Sequence, residues 1–227
     1  MSKNIVNQID DSVKIQTVLA SVSDKSGLET FIPELLKINP DINILSTGGT
    51  YNKIKEILGN DADNCLQKVS EYTGQPETQG GLVKTLDFKI YLGLLTETYN
   101  KSHQDDLKRV SGKPIDMIIV NLYPFADTIA KPDVTCEMAR GNIDIGGPTM
   151  IRAAAKNYIR VASVVDPLSY TSIIDSMKKN NGSLSLEDRF NLSKKAFEHT
   201  AVYDRTIADF LFTKTTNQIY DCYNTNK

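Results

Sequence analysis

The stretch IDMIIVNLYPF, residues 115–125, constrains the fold most, because its apolar run from Met117 to Val120 is uninterrupted. A strand covered on one face alternates apolar and polar residues, whereas a continuous apolar run is typical of a strand buried on both faces. Strands of this kind occur where helices cover a parallel sheet on each side. The stretch therefore predicts a central strand of a mostly parallel sheet.

The same order of strand, turn and helix recurs along the chain. QTVLAS is followed by the turn-rich VSDKSG and by LETFIPELLKI, whose apolar residues have helical spacing. INILS, STGGT and YNKIKEIL repeat that order, and RVASVV ends at Asp166-Pro167 before the helix-like SYTSIIDSMKK. This alternation predicts an α/β fold, with a mostly parallel sheet flanked by helices.

The pattern changes near Gly182. From Leu184 to Lys214 the chain keeps a helical period without further strands, which predicts a C-terminal helical appendage of two helices packed on the α/β body. We therefore expect a flexible N-terminal extension over residues 1–14, an α/β domain over residues 15–182 and C-terminal helices over residues 183–227.

Composition excludes several classes of protein. A formal net charge of -2 offers no general attraction to nucleic acid or to anionic lipid. The three cysteines, Cys65, Cys136 and Cys222, are far apart and odd in number, which favours reduced thiols over a disulfide framework. With two isolated histidines and no close ligand spacing, a metal site is not expected. No apolar stretch suits a signal peptide or a membrane span, so we expect a cytoplasmic protein.

Two of the loops that follow strands carry groups suited to a phosphate. In an open parallel sheet, ligands bind beyond the carboxyl ends of the strands. Ser23, Asp24 and Lys25 follow the first strand, and STGGT follows the second. Glycine allows close approach of backbone N–H groups at a helix start, where phosphate oxygens bind readily. A glycine turn there is also common for geometric reasons alone. The residues of the second loop are Thr47, Gly48, Gly49 and Thr50.

Two further segments carry polar groups. In GGLVKTLDF, Lys84 and Thr85 follow the pair Gly80-Gly81, although a single lysine is more often a solvated surface charge. In NLYPF, Asn121 and Tyr123 stand where a strand end faces a ligand. Tyr123 is equally consistent with a core aromatic residue whose hydroxyl finds a backbone partner.

The segment DIGGPTMIRAAAKN, residues 144–157, has an acid before a predicted helix and two cations along it. Pro148 suits the first turn of that helix, and Arg152 and Lys156 lie on one face because they are four residues apart. A capped surface helix has the same pattern. Because a helix rises about 12 Å from Pro148 to Lys156, Asp144 and Lys156 meet one ligand only if the loop folds back or the ligand has the size of a nucleotide.

Seven motifs in one order resemble a known family. SVSDKSGL, STGGT, VSEYTGQPE, GGLVKTL, NLYPF, IDIGGPTMIRAAAKN and KAFEHTAVYD resemble the IMP cyclohydrolase domain of the bifunctional purine-biosynthesis enzyme that also holds an aminoimidazole-carboxamide ribonucleotide (AICAR) transformylase. The resemblance runs from about Val18 to Phe212. It implies a methylglyoxal-synthase-like fold and closure of the formylated ribonucleotide FAICAR to inosine monophosphate (IMP) with release of water. It also implies that neither a metal nor an organic cofactor takes part.

The resemblance also implies roles for individual residues. The catalytic group corresponds to Lys84, Tyr123, Asp144 and Lys156, with Lys156 resembling the proton donor and acceptor of the family. We expect the lysines to face the formyl oxygen, Asp144 to orient or deprotonate the carboxamide, and Tyr123 to add a hydrogen bond. The substrate-binding set is Ser23, Asp24, Lys25, Thr47, Gly48, Gly49, Thr50, Thr85, Asn121, Ile145 and Gly146.

Partners follow from the same resemblance. We expect a purine ribonucleotide substrate, a homodimer and a separate AICAR transformylase that supplies FAICAR, with no nucleic acid or membrane partner. The family usually reads GRVKTLHP where this chain has Leu82, Asp87 and Phe88 in place of the arginine, histidine and proline. Loss of a cation and gain of a carboxylate are expected to weaken nucleotide binding or to raise the pKa of Lys84. The alternative function is therefore a catalytically impaired module of the same fold that senses a nucleotide or phosphate. A methylglyoxal synthase proper is disfavoured, because the loops lack its pattern of aspartate and histidine.

Overall fold

The computed structural model describes residues 5–76, 78 and 83–224 of the chain. Within these residues the backbone forms a five-stranded sheet, a separate two-stranded sheet and helices on both faces of the larger sheet. The strands are β1 (Ser12–Lys14), β2 (Thr17–Ser21), β3 (Asn43–Ser46), β4 (Leu66–Lys68), β5 (Met117–Val120), β6 (Ala162–Val164) and β7 (Ser183–Ser185). The helices are α1 (Leu28–Ile38), α2 (Gly48–Leu58), α3 (Ala62–Cys65), α4 (Val69–Thr73), α5 (Phe88–Leu95), α6 (Lys101–Arg109), α7 (Phe125–Ile129), α8 (Cys136–Gly141), α9 (Gly146–Lys156), α10 (Tyr170–Lys179), α11 (Leu186–Phe212) and α12 (Thr216–Tyr220).

The five-stranded sheet is parallel throughout and has the order β4-β3-β2-β5-β6. In the centre, Leu19 of β2 is in register with Leu45 of β3 and with Ile118 of β5. The chain first builds the sheet to one side of β2 and then returns to extend it on the other side. A reversal of this kind opens a crevice beyond the carboxyl ends of the two strands where it occurs, here β2 and β5.

Alternate residues of the central strands enter two different cores. Val18 and Ala20 point into the core that α1 and α10 cover, where the rings of Phe31 and Tyr170 stack with centroids 4.2 Å apart. Leu19 points into the opposite core, which α5, α9 and α11 cover. The predicted fold class, a parallel sheet buried by helices on both faces, is therefore confirmed.

The C-terminal appendage differs in detail from the prediction of two helices. Residues 186–212 form one continuous helix, α11, followed by the short α12. Ser185 and Asp188 form a reciprocal capping box that begins α11, and no glycine or proline interrupts the helix before Phe212. Contacts with α9 and β6 support α11 along the body of the molecule.

The N-terminal segment also differs from the expected flexible extension over residues 1–14. Ser12–Lys14 form β1, which pairs antiparallel with β7. The side chain of Arg189 is completely buried and donates hydrogen bonds to the carbonyl oxygens of Asp10 and Asp11. A buried guanidinium requires such acceptors, so it holds this segment against the body. Residues 1–4 lie outside the described part of the chain.

Membrane-spanning character is missing from the described helices. None of them combines the length and the apolar content that crossing a membrane would require.

Candidate active site

A cavity of about 340 Å³ lies beyond the carboxyl ends of β2, β3 and β5. This is the crevice that the strand order opens, and its volume falls within the range that is usual for small-molecule sites. The predicted residues among its lining are Ser23, Lys25, Thr47, Gly48, Gly49, Thr50, Lys84, Thr85, Asn121, Tyr123, Asp144, Ile145 and Gly146. Segments distant in sequence are thus brought together by the ends of parallel strands.

Asn121 joins the loop after β2 to the end of β5. Its Oδ1 accepts hydrogen bonds from the backbone N–H groups of Ser23 and Asp24 at 2.7 and 2.9 Å, and its Nδ2 donates to the Asp24 carbonyl at 2.8 Å. Asn121 was predicted to bind the substrate. The structure shows that it lines the cavity while its amide group fixes the neighbouring loop.

Thr50 has a similar role on the other side of β2. Its hydroxyl accepts a hydrogen bond from the Val22 N–H at 2.9 Å and donates one to the Val22 carbonyl at 3.0 Å. Thr47 precedes α2, but its hydroxyl does not cap the helix and instead lies 2.9 Å from the hydroxyl of Ser21. The first turn of α2 therefore faces the cavity without a side-chain cap.

Two lysine side chains reach this uncapped helix start. A Cβ atom at Gly48 would lie 3.8 Å from Nζ of Lys84, and one at Gly49 would lie 3.9 Å from Nζ of Lys25. Gly48 has φ = +43°, a conformation that favours glycine over residues with a Cβ. The N-terminus of a helix attracts anions, and two ammonium groups beside it strengthen that attraction. This end of the cavity suits a phosphate group.

Asp144 adds a carboxylate to the lining of the same cavity. Its Oδ1 accepts a hydrogen bond from the Gly147 N–H at 2.9 Å, and its own N–H donates to the hydroxyl of Tyr203 at 2.8 Å. Partial burial raises the pKa of Asp144, while the N–H groups of Gly147 and Tyr123 and the charge of Lys84 act in the opposite direction. An acid of this kind can hold or accept a proton at the edge of a ligand.

The remaining predicted lining residues are Tyr123, Ile145, Thr85 and Gly146. The side chain of Tyr123 is 50% exposed, so the structure does not place it in the core. Ile145 is 60% exposed beside it. Thr85 is buried, and a Cβ atom at Gly146 would lie 2.9 Å from its hydroxyl oxygen. Glycine at position 146 thus permits the close approach of α9 to the loop that carries Lys84 and Thr85.

Two predicted site residues lie outside this cavity. Asp24 is exposed, and its Oδ1 accepts hydrogen bonds from the hydroxyl and the N–H of Ser26 at 2.6 and 2.9 Å, which lower its pKa. Lys156 is exposed in the last turn of α9. Met150 in the middle of α9 still lines the cavity, and the helix rises about 9 Å further from Met150 to Lys156. The structure therefore brings Lys84 and Asp144 together and leaves Lys156 apart.

Several lining residues were not predicted. Ser21 is the last residue of β2, so the same strand-end argument applied one residue earlier would have found it. The apolar part of the lining carries no chemical signal in the sequence. The lining residues that were missed are Ser21, Val22, Leu86, Val120, Gly141, Ile143, Gly147 and Met150.

One departure from the family pattern has a structural role in the described part of the chain. Asp87 is buried, and its carboxylate caps α5 by accepting a hydrogen bond from the Lys89 N–H at 2.7 Å. Phe88 is 65% exposed. Gly80, Gly81 and Leu82 lie outside the described residues.

Metal-binding geometry is also missing from the described part of the chain. No three or more His, Cys, Asp or Glu side chains among those residues are grouped to hold a metal ion.

Comparison with known proteins gives the family. A model described as the MGS-like domain matches residues 27–149, and one described as the AICARFT/IMPCHase bienzyme matches residues 154–226. The chain is 48% identical over 196 residues to the bifunctional purine biosynthesis protein PurH of Thermoanaerobacter sp. (strain X514) and 47% identical over 197 residues to that of Neisseria meningitidis serogroup A. These alignments cover 86% and 87% of this chain but 37% and 36% of the relatives, so the chain spans little more than a third of their length.

A solved structure supports the same assignment. The protein described as "Crystal structure of ForH" superposes with a TM-score of 0.74 and 28% sequence identity, covering 86% of this chain and 96% of its own. The resemblance predicted from the seven motifs is confirmed. Because the first family model matches more than half of its residues, the chain belongs to the MGS-like domain family.

Proposed function

We propose that this chain is an IMP cyclohydrolase, which closes FAICAR to IMP and water in purine biosynthesis. The observation that carries the proposal is one cavity that is lined by a helix N-terminus, two lysines and the partly buried carboxylate of Asp144. A nucleoside monophosphate has the matching groups, a phosphate, a ribose and a base. The similarity to bifunctional purine biosynthesis proteins supports the same substrate class.

The reaction joins two groups of the same molecule. The carboxamide nitrogen attacks the formyl carbon, the formyl oxygen becomes a hydroxyl in the tetrahedral intermediate, and that hydroxyl leaves as water when the ring C=N bond forms. A carboxamide nitrogen is a weak nucleophile, so the ring closure needs removal of a proton and stabilisation of the developing oxyanion. The cavity has to supply both.

Phosphate binding is proposed for the first turn of α2. The N–H groups of Gly48 and Gly49 and the ammonium of Lys25 would hold the phosphate, with the hydroxyl of Thr47 beside them. Ser23 and Asp24 shape the loop on the other side, since Asn121 holds their backbone N–H groups. Fixing the phosphate and ribose also fixes the rotamer that brings the reacting groups together, an effect worth up to about 7–11 kcal/mol.

Proton transfer is proposed for two residues of the cavity, and a supporting hydrogen bond for a third. Lys84 would stabilise and protonate the formyl oxygen, and Asp144 would orient the carboxamide and accept its proton. Tyr123 would donate a hydrogen bond at the mouth. The raised pKa of Asp144 makes its carboxylate a better proton acceptor than an exposed aspartate.

Lys156 requires a separate proposal, because it does not line the cavity: α9 rises about 9 Å from Met150, its last cavity-lining residue, to Lys156. We propose that the chain forms a homodimer and that Lys156 reaches a bound nucleotide in the second copy. Two aromatic side chains of α11 are exposed, Phe190 and Phe197, and the guanidinium of Arg152, which is four residues before Lys156 on the same helix, lies 5.6 Å from the ring of Phe197. If this is correct, the Lys84→Ala and Lys156→Ala proteins are both inactive, and mixing them restores part of the turnover. An active Lys156→Ala protein, or no turnover in the mixture, would refute this role of Lys156.

The surroundings of the reaction follow from its chemistry. FAICAR is the product of a formyl transfer, so a transformylase activity has to supply it. The free thiols of Cys65, Cys136 and Cys222 fit the reducing cytoplasm in which we place the reaction.

The test is to mix purified protein with FAICAR and to follow ring formation by ultraviolet absorbance. We expect turnover without added metal or cofactor, and binding of IMP in calorimetry. Binding of IMP without turnover would refute the cyclohydrolase and favour the nucleotide-sensing module. The absence of both would refute the nucleotide site itself.

A further inference from the structure

Tyr203 lies behind the loop that presents Asp144. Its hydroxyl accepts a hydrogen bond from the Asp144 N–H at 2.8 Å and donates one to the Asn142 carbonyl at 3.5 Å. Tyr203 does not line the cavity, and it comes from α11, about 60 residues beyond the loop in sequence. A side chain of the C-terminal helix therefore holds the backbone of the acid proposed to take a proton.

The chemistry of a tyrosine fits this position. The side chain is 8% exposed, and its ring meets that of Phe125 edge-on with centroids 6.3 Å apart. A packed ring has one orientation, so its hydroxyl is fixed in space. Burial raises the pKa of Tyr203, so the hydroxyl keeps the proton that it donates to Asn142. Both hydrogen bonds of the loop thus depend on one rigid group.

The carboxylate of Asp144 is held from the other side by Gly147. The backbone of Asp144 is fixed by Tyr203 and its Oδ1 by the Gly147 N–H, which leaves little freedom for the carboxylate. A displacement of about 1 Å in a catalytic group can lower a rate about 100-fold. A backbone hydrogen bond that sets the position of Asp144 can therefore control the rate without touching the substrate.

We infer that Tyr203 is a positioning residue for the ring closure, acting through the backbone of Asp144. This inference rests on the proposed function. It also assigns a role in the site to α11, which lies outside residues 27–149, the match to the MGS-like domain. The long C-terminal helix then does more than cover the core, because its hydroxyl completes the loop that carries the acid.

Tyr72 is a matched control within the same chain. Its hydroxyl also accepts a backbone N–H hydrogen bond at 2.8 Å, in this case from Lys113, and the side chain is 7% exposed. Lys113 precedes β5 and so lies at the end of the sheet opposite the cavity. Replacing either tyrosine by phenylalanine removes one buried hydroxyl that accepts a backbone N–H and keeps the ring.

The experiment compares Tyr203→Phe, Tyr72→Phe and wild type with FAICAR as substrate. We expect both variants to lose similar stability in urea denaturation. We expect only Tyr203→Phe to lower kcat, by about 10- to 100-fold, with a smaller change in KM and with IMP binding retained. Equal kcat for the two variants would overturn the inference, because a merely structural tyrosine has no specific effect on turnover.

A double-mutant cycle tests the route through Asp144. In an Asp144→Asn background, Tyr203→Phe should lower kcat further by less than about threefold, since the group that it positions is already gone. If the fold-losses of kcat in the two single variants multiply in the double variant, Tyr203 acts independently of Asp144, which would overturn the inference.

Amide hydrogen exchange separates this inference from the proposed function. In Tyr203→Phe the Asp144 N–H should exchange faster than in wild type. In Tyr72→Phe the exchange rate of the Asp144 N–H should equal that of wild type. A wild-type protein that leaves FAICAR unchanged refutes the cyclohydrolase, yet faster exchange in Tyr203→Phe still shows that Tyr203 holds the loop. Unchanged exchange at Asp144 overturns the inference whatever the enzyme does.

Discussion

At the scale of single residues, the side chains of the cavity divide by where their hydrogen bonds go. Asn121 and Thr50 use theirs on the backbone of the loop after β2. Lys84 and Asp144 instead bring opposite charges to the space that remains. The first pair builds the cavity, and the second pair is the one on which we expect turnover to depend.

Lys84→Ala tests the cationic end. Removing the ammonium takes away the group proposed to stabilise the formyl oxygen, so we expect kcat/KM for FAICAR to fall about 100- to 1,000-fold. Steady-state kinetics measures this. Lys55→Ala is the control, because Lys55 is an exposed lysine of α2 that does not line the cavity. Equal kinetics of the two variants would contradict the role of Lys84.

The ionisation of Asp144 gives a pH-dependent prediction. Partial burial raises its pKa above the ordinary value of 3.8, so the folded protein holds this proton more tightly than the unfolded chain does. The stability that Asp144 contributes is therefore complete below the unfolded pKa and is lost as pH rises through the folded pKa. Asp144→Asn removes this loss, and we expect the variant to gain stability relative to wild type as pH rises from acidic to neutral, while its turnover falls.

Asp24→Asn is expected to change stability with pH in the opposite direction to Asp144→Asn. Hydrogen bonds from Ser26 lower the pKa of Asp24, so its contribution to stability is present above the unfolded pKa and is lost as pH falls. That variant should lose stability relative to wild type toward neutral pH. Urea denaturation across the pH range measures both variants. If both variants gain stability relative to wild type as pH rises, or both lose it, the environment of Asp144 is not the one described.

At the scale of elements, the start of α9 sets the position of Asp144. A Cβ atom at Gly147 would lie 2.6 Å from Oδ2 of Asp144 and 2.6 Å from Cδ2 of Leu122. We expect Gly147→Ala to lower the free energy of unfolding by about 1–3 kcal/mol, the usual effect of overpacking, and to displace the carboxylate. Chemical denaturation and FAICAR kinetics measure the two effects.

Gly141→Ala is the matched control for stability. Gly141 ends α8, and an added Cβ would meet no described atom within 4 Å. Alanine favours a helix more than glycine does, so this variant should be as stable as wild type or more stable. A Gly147→Ala protein with wild-type stability would mean that the loop has room that the structure does not show.

The elements that could be predicted from the sequence are those whose burial requires a recognisable run or spacing of apolar residues. β2, β3, β5 and β6 were predicted, because helices bury their apolar residues on both faces. β4 has only three residues, Leu-Gln-Lys, at the edge of the sheet, and so short a polar strand has no such pattern. The division of α11 into two helices was wrong, because a helical period does not show whether a helix is continuous.

The same limit applies to the site. Residues directly after strands were predicted to meet because parallel strands end at one edge, and the structure confirms this for the loops after β2, β3 and β5. Lys156 was grouped with Asp144 through a resemblance in one continuous motif. Along a helix, however, neighbours in sequence move apart by about 1.5 Å per residue, and only the structure shows where the far end lies.

At the scale of the whole molecule, a buried ion pair joins parts of the chain at the end of the sheet opposite the cavity. Nη1 of Arg160 lies 3.1 Å from Oδ1 of Asp116, and both side chains are buried. Oδ2 of Asp116 accepts hydrogen bonds from the N–H groups of Gln16 and Thr17 at 3.0 and 2.9 Å. Asp116 thus connects the start of β2, the start of β5 and the segment before β6.

Asp116→Ala should destabilise the fold strongly. The change leaves the guanidinium of Arg160 buried without its carboxylate, which costs about 3–5 kcal/mol in comparable cases. Asp106→Ala breaks an exposed pair with Arg109, and exposed pairs contribute only about 0–1 kcal/mol. Denaturant unfolding compares the two variants. Equal losses would contradict the account of Asp116 as a junction of the fold.

If one cavity at the carboxyl ends of β2, β3 and β5 holds a purine nucleoside monophosphate, a crystal structure of the protein with IMP will show the nucleotide in that cavity. We expect phosphate oxygens within hydrogen-bonding distance of the Gly48 and Gly49 N–H groups, and the base between Lys84 and Asp144. IMP bound elsewhere, or with its base at the start of α2 and its phosphate beside Asp144, would contradict this expectation.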